Sequence, residues 1–494
     1  MAASSTGFAS HLGDFRCRCI RGCWDRLGEH IFVLMFKCRS PFALKKFIFL
    51  RLCVETGPPR RYAIYGRGHK VLPKVRLLQI GDVHLVSNAG NKAFVDDKDT
   101  TFPLNLKNII SRSPIKTVFR RIFEIIKEQG VDSVLFMGDL TDYGKLDGYA
   151  ACSNYIASAL QIGSRGLYRD IPVGIVPGNH DINRPLALKP GISTKFTPLV
   201  EALTGAGLPA LPVRKAIHRS VERDNARIEL FLLNSCWGCG EESYIPREFR
   251  SQIAAAMKTV ISGPDSDAAI RAYYDRQLDT PAISEETIES VVTKMESLSG
   301  AAIPVLVAHH NLLPQRRPRL APYTELINGG ALRGALGELG RPVIYLHGHI
   351  HEDPVEVLQL PGGFPVVSIS APDIPKGFNL VDILFGENTV PLACHITPYR
   401  VDKSGILKRE TAISIALNNG RKRSSDRNTG IIYGKVLEAG QIYWPELTKH
   451  FLDESNGLDE QRLTIIVEQL QAEGSITIDN YDLSPTHWIL RAEK

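Results

Sequence analysis

The chain has 494 residues, 44% hydrophobic and 23% charged, with a formal net charge of +6. This is ordinary for a soluble globular protein and enough for a sizeable core. Residues 1–70 hold 13 of the 59 Lys/Arg and only 4 of the 53 Asp/Glu, so the rest is slightly acidic and bulk charge gives no argument for nucleic acid.

Residues 1–73 read as a basic, cysteine-containing extension that packs poorly. Of the 9 cysteines, Cys17, Cys19, Cys23, Cys38 and Cys53 lie there, and Cys152, Cys236, Cys239 and Cys394 follow. An odd count without regular spacing does not suggest a secreted disulfide framework. Cys17, Cys19 and Cys23 lack a second cluster to complete a tetrahedral zinc set. The apolar runs at 31–36 and 47–50 fall far short of the roughly 18 residues that span a membrane. They also do not make a secretory signal. A transit peptide, a tail, or translated sequence ahead of the true start all remain open. A cytoplasmic setting and no membrane partner are the expectations.

From residue 74 the pattern turns regular. An apolar run at 75–80 predicts a strand that ends in Gly81-Asp82-Val83-His84. Ser113 can cap a helix, Pro114 suits its first position, and Val118, Ile122, Ile125 and Ile126 repeat at helical spacing up to Gly130. A strand at 133–137 leads to Gly138-Asp139, and a helix follows at 146–160. A strand at 171–176 opens into Gly178-Asn179-His180-Asp181. Strands at 228–233, 303–308 and 342–346 lead to Asn234, His309-His310 and His347-Gly348-His349-Ile350-His351. A helix is expected at 284–298, and later strands at 355–358 and 365–369. Long connections at 183–227 and 238–283 read as rims. Arg184 and Lys189 stand at the first of these, where solvated loop charge is the plainer reading. Residues 401–430 read as a basic linker. Residues 431–494 resume a globular pattern, with a helix at 459–473 and a hairpin from 475–478 and 488–490. That arrangement suggests a small winged-helix-like module.

Five strand ends thus present metal-ligand side chains: Asp82 and His84, Asp139, Asn179 and His180, His309, and His349 and His351. Sites in open α/β proteins lie at the carboxyl ends of strands, so loops distant in sequence can converge. Each motif alone is weak; their order and shared strand-end context make the set specific. Carboxylate, imidazole and amide oxygens suit divalent Mn, Fe or Zn, and no cysteine enters the set. Seven donors exceed the need of one tetrahedral ion and suit two ions that share a carboxylate.

Taken together, Asp82-x-His84, Gly138-Asp139-x-x-Asp142, Gly178-Asn179-His180-Asp181, His309 and Gly348-His349-x-His351 resemble the calcineurin-like metallophosphoesterase superfamily over roughly residues 74–400. The resemblance implies an α/β class fold, a four-layer α/β/β/α sandwich of two mixed sheets. It implies that Asp82, His84 and His351 hold one divalent ion, that Asn179, His309 and His349 hold a second, and that Asp139 bridges. A metal-bridging hydroxide would attack phosphorus in line. His180 would stabilise charge or protonate the leaving oxygen, and Asp181 would orient His180. His310 is the alternative to His309, which is preferred because it directly follows the apolar strand.

The resemblance makes the chain a metal-dependent phosphoric ester hydrolase. Asp142-Tyr143-Gly144 and Asp181 depart from the pattern of phosphoprotein phosphatases. The motif spacing and compact body are similar to bacterial cyclic-nucleotide phosphodiesterases, which implies a small nucleotide-type phosphodiester as substrate. A nuclease similar to DNA-repair exonucleases is the alternative, suggested by Gly-His-Ile-His and the C-terminal module. Nucleic acid is not favoured, because the helix near 459–473 carries Asp459, Glu460, Glu468 and Glu473 against Arg462 alone. Protein binding or self-association by that module is at least as well supported. A catalytically dead scaffold would predict eroded donors, and all seven are present.

Overall fold

The computed structural model describes residues 72–85, 114–141, 146–187, 191, 193–239, 280–299, 302–314, 326–352, 354–359, 363–386, 389–417, 427–452, 458–481 and 483–492, with short pieces at 23–24, 30–31, 251–252 and 255. Two compact units divide the chain, residues 1–67 and 68–494. In the first, β1 (Cys23–Trp24) pairs antiparallel with β2 (His30–Ile31). Cys17, Cys19, Asp142 and Lys189 lie outside the described residues.

The second unit opens with β3 (Lys74–Ile80), α1 (Pro114–Gln129), β4 (Ser133–Phe136), α2 (Leu146–Leu160) and β5 (Val173–Ile175). It continues with α3 (Arg184–Ala187), α4 (Thr197–Gly205), β6 (Ile217–Arg223), β7 (Ala226–Leu232), α5 (Glu285–Glu296), β8 (Ile303–Val307), α6 (Gly329–Glu338) and β9 (Val343–His347). Then come β10 (Val355–Gln359), β11 (Pro365–Ser370), β12 (Gly377–Phe385), β13 (Pro391–Val401), β14 (Leu407–Arg409) and β15 (Ile413–Ala416). The chain closes with α7 (Arg427–Ala439), β16 (Gln441–Tyr443), α8 (Trp444–Phe451), α9 (Glu460–Ala472), β17 (Ile476–Asp479) and β18 (Ile489–Ala492).

Two mixed sheets form the body. One has the order β14-β13-β12-β3-β4-β5, with β15 also pairing β13; the other has the order β10-β11-β9-β8-β7-β6. In the first, β3, β4 and β5 run parallel while β12 and β13 run antiparallel to their neighbours. In the second, β7, β8, β9 and β11 are parallel and the edge strands β6 and β10 are antiparallel.

Side-chain alternation along β3 shows how the layers are sorted. Val75 and Leu77 face the other sheet and join Leu230, Val305, Leu346 and Val381 in the central core. Leu78 and Ile80 point the opposite way and pack with Val118, Ile122 and Ile126 of α1. On the far side, Val291 and Met295 of α5 and Leu332 and Leu336 of α6 cover Leu306 and Tyr345. Helices therefore flank both sheets, in the four-layer order expected. Strands buried on both faces read as unbroken apolar runs, which is why β4, β8 and β9 were visible in the sequence.

Several elements were not. β6 and α4 occupy part of the stretch 183–227 read as a rim. Within 401–430, read as a linker, β14 and β15 add to β13 with Tyr399 opposite Arg409 and Ala393 opposite Ala416, and α7 begins at Arg427. Both strands are short, and none of their residues is fully buried. An edge strand of that kind needs no apolar run.

The last part packs α7, α8 and α9 on the three-stranded sheet β16-β18-β17 around Trp444, Leu447, Leu463, Ile466 and Leu490. β17 and β18 pair antiparallel, the hairpin read from the sequence. This part is docked on the body. Ile465 of α9 packs with Leu72 and Leu384, and Glu468 accepts from Leu72 N at 3.0 Å and from Tyr481 OH at 2.9 Å. Among the described residues no helix is long and apolar enough to cross a membrane.

Candidate metal centre

The nine predicted site residues come together at the carboxyl ends of β3, β4, β5, β8 and β9. Asp139 lies among them. Its Oδ2 is 3.3 Å from His309 Nε2 and 3.9 Å from His84 Nε2. His309 Nε2 is also 2.9 Å from Asn179 Oδ1 and 3.2 Å from His349 Nδ1. On the other side, His84 Nε2 is 3.1 Å from His351 Nε2, which is 3.5 Å from Asp82 Oδ2. The donors thus form two groups that meet at Asp139. His310, the alternative to His309, holds its Nδ1 3.0 Å from Ser235 Oγ, with its ring 4.8 Å from that of His309.

Backbone geometry at these loops is unusual. His84, Asp139, His349 and His351 have φ of 42°, 48°, 68° and 54°. Left-handed backbone at non-glycine residues costs about 1–3 kcal/mol each and persists only where the surroundings enforce it. The two glycines beside Asp139 show that enforcement. Gly138 has φ +92°, and a Cβ there would stand 2.9 Å from His309 Nδ1. A Cβ on Gly178 would stand 2.1 Å from Asp139 Oδ1.

The surrounding hydrogen bonds aim the donors. His309 Nδ1 donates to the Met137 carbonyl at 2.8 Å, which turns Nε2 toward Asp139. Asp82 accepts from His349 N at 3.0 Å, and Asp139 Oδ1 accepts from His180 N at 2.7 Å. Gln79 ties the sheets together beneath the site, donating to His347 O at 3.2 Å and Ile369 O at 2.8 Å.

Asp181 is held by the backbone of its own loop and of the β4 loop. Its Oδ1 accepts from Thr141 N at 3.0 Å and Thr141 Oγ1 at 3.2 Å, and its Oδ2 from Gly178 N at 3.0 Å. Its carboxylate braces the β4 and β5 loops against each other. Burial and the nearby Asp139 carboxylate raise it to about 6. The ring of His180 stands edge-on to that of His84, 4.8 Å between centroids.

The electrostatics suit a cation. Burial by itself would depress His309, yet Asp139 and Asp82 lift it to about 9. Burial raises Asp139, but His309 and His180 outweigh it and hold the carboxyl well below its usual range. The His309–Asp139 pair is therefore held charged, while burial raises Asp82 and depresses His349. Asp82, Asp139 and His309 offer ligand atoms within 4.8 Å of one another, as do His309, His310 and His349. Carboxylate, imidazole and amide oxygens in this density fit divalent metal.

The family described as calcineurin-like phosphoesterase matches residues 75–227. That segment carries Asp82, His84, Asp139, Asn179, His180 and Asp181; the three later histidines lie beyond it. No curated protein matches the chain. Among solved structures, a dimetal phosphatase from Danio rerio is 13% identical, with 70% of this chain and 99% of that one covered and a TM-score of 0.41. A purple acid phosphatase from yellow lupin, Lupinus luteus, is 10% identical, covering 70% and 54% with a TM-score of 0.39. A 5'-nucleotidase precursor from Thermus thermophilus is 13% identical, covering 70% and 55% with a TM-score of 0.34.

One cluster escaped the sequence reading. Cys236, Cys239 and His310 lie together behind the centre. The spacing Cys236-Trp237-Gly238-Cys239 was the available signal.

Proposed function

We propose that the chain is a dinuclear-metal-dependent phosphoester hydrolase acting on a small, nucleotide-type phosphodiester. The observation that carries this is Asp139, whose Oδ2 lies 3.9 Å from His84 Nε2 and 3.3 Å from His309 Nε2, at the meeting of two donor groups. Asp82, His84 and His351 would hold one ion of Mn, Fe or Zn, and Asn179, His309 and His349 another. When bound, such a pair supplies Lewis-acid stabilisation at phosphorus and lowers the pKa of water. The chain's own side chains do the rest. His180 presents its ring beside His84, where it can hydrogen-bond a phosphoryl or leaving oxygen. Asp181 positions His180 through the backbone by bracing the turn that carries it.

The C-terminal part supports a small substrate over long nucleic acid. We read it as a winged-helix-like module that binds protein or self-associates. Its helix α9 buries Leu463, Ile465, Ile466, Val467 and Leu470 and is turned toward the body through Glu468. A helix so covered, and acidic besides, is ill placed to read a groove. The cytoplasm is the setting consistent with this substrate class.

The test is a substrate panel with Mn²⁺: a chromogenic phosphodiester, a phosphomonoester, cyclic mononucleotides, and single- and double-stranded DNA. Turnover of the diester and a cyclic nucleotide is expected. Cleavage of long DNA with indifference to cyclic nucleotides would replace this reading with the nuclease.

A further inference from the structure

The loop after β7 builds a second donor set that the dinuclear reading does not use. Cys236 and Cys239 are fully buried, and His310 is nearly so. One ligand atom from each of the three lies within 4.8 Å of the others. The loop is held in place for them. Asn234 Oδ1 accepts from Cys236 N at 2.9 Å, and Asn234 Nδ2 donates to Val213 O at 2.9 Å. Cys239 N then donates to Cys236 O at 3.1 Å, closing a turn that puts both thiols on one side. Trp237 N and Ala282 N bond across to Ala282 O and Ser235 O, which pins the turn to a neighbouring strand segment.

Buried polar groups hold the turn and the ring in place. The buried Lys195 ammonium donates to Trp237 O at 2.8 Å and to Cys239 O at 2.6 Å. Ser235 Oγ accepts from the backbone N–H groups of His309 and His310, both at 3.1 Å, and lies 3.0 Å from His310 Nδ1. A ring anchored by one nitrogen presents the other in a fixed direction, as second-shell partners of metal-bound histidines do.

We propose that Cys236, Cys239 and His310 form a separate thiolate–imidazole site for one soft divalent cation, zinc by its donor preference. Two sulfurs and one nitrogen are the donors zinc selects, and two cysteines three residues apart are a common way to present them. Binding would displace both thiol protons to solvent and leave two thiolates and a neutral imidazole on the ion. The site would tie the β7 loop to the β8 loop. His310 is next in sequence to His309, and its ring stands 4.5 Å from that of His349. The ion would therefore stiffen the rear wall of the dinuclear centre. The simplest rival is that the two thiols only fill space beside Ile182 and Phe196.

Cobalt(II) loading of the reduced full-length chain tests this by spectrum and not by turnover. A thiolate-to-cobalt charge-transfer band is expected. Cys236→Ser and Cys239→Ser should each remove that band, or the part of it above the contribution of the N-terminal cysteines, together with about one equivalent of bound cobalt. Unchanged band and stoichiometry in both variants would overturn the proposal. Should either variant fail to fold, anomalous diffraction at the zinc edge from the native, zinc-loaded chain decides. A peak between the three side chains supports the site. Free thiols without a peak, or a Cys236–Cys239 disulfide, would overturn it.

Discussion

Asp139 holds a buried carboxylate on left-handed backbone, with Gly178 pressed against one of its oxygens. No side chain fits there. Gly178→Ala should therefore displace Asp139 and cut kcat by at least about a hundredfold, the scale on which misplacing a reacting group by an ångström acts. Circular dichroism should show the fold intact; full activity in this variant would mean that Asp139 does not need its present position. His180 makes a separable contribution. His180→Gln should leave metal content unchanged and lower kcat by about 10²–10⁴-fold. A normal kcat with a raised KM would instead make His180 a binding residue only.

The central strands β3 and β12 are tied by charge as well as by their ladder. Asp382 on β12 receives a two-pronged contact from Arg76 on β3, 2.7 Å at each oxygen, and Lys74 Nζ lies 3.6 Å away. Burial would raise the Asp382 carboxyl, but Lys74 and Arg76 drive it far below its ordinary value. A carboxyl depressed on folding stabilises above its unfolded pKa, and that stability is lost as pH falls toward the folded value. Asp382→Asn should cost about 2–3 kcal/mol near neutral pH. In urea titrations the gap between wild type and variant should close between about pH 5 and pH 2. A gap that is constant across that range would assign the loss to packing.

Across the second unit, five loops from two sheets must arrive together before a cation can be held. Binding then favours the folded state by mass action, about 2.7 kcal/mol for a cation at a hundred times its Kd. Manganese should raise the thermal midpoint of the wild-type chain and chelator should lower it, with activity lost and regained in step. Asp139→Asn should abolish most of that rise. Equal midpoints with chelator and with manganese would leave the donor groups without a cation to share. The docking of α9 on Leu72 and Leu384 adds a further demand, since removing the C-terminal part would expose those side chains to water.

What the sequence marked by itself was the central strands and the donor residues at their ends, while the order of the layers came from the resemblance. Apolar runs marked β4, β8 and β9 because strands buried on both faces carry no polar alternation, and the donors followed those runs directly. Tertiary structure alone decided which oxygen or nitrogen faces which partner. His309 rather than His310 meets Asp139: its Nδ1 donates to the Met137 carbonyl and its Nε2 lies 3.3 Å from Asp139 Oδ2, while His310 Nδ1 lies against Ser235. Asp181 braces two loops: its hydrogen-bond partner Thr141 lies far away along the chain and close only after folding. Edge strands such as β14 and the approach of His310 to Cys236 and Cys239 were hidden. Their identity depends on neighbours brought from elsewhere, and no local period records a neighbour.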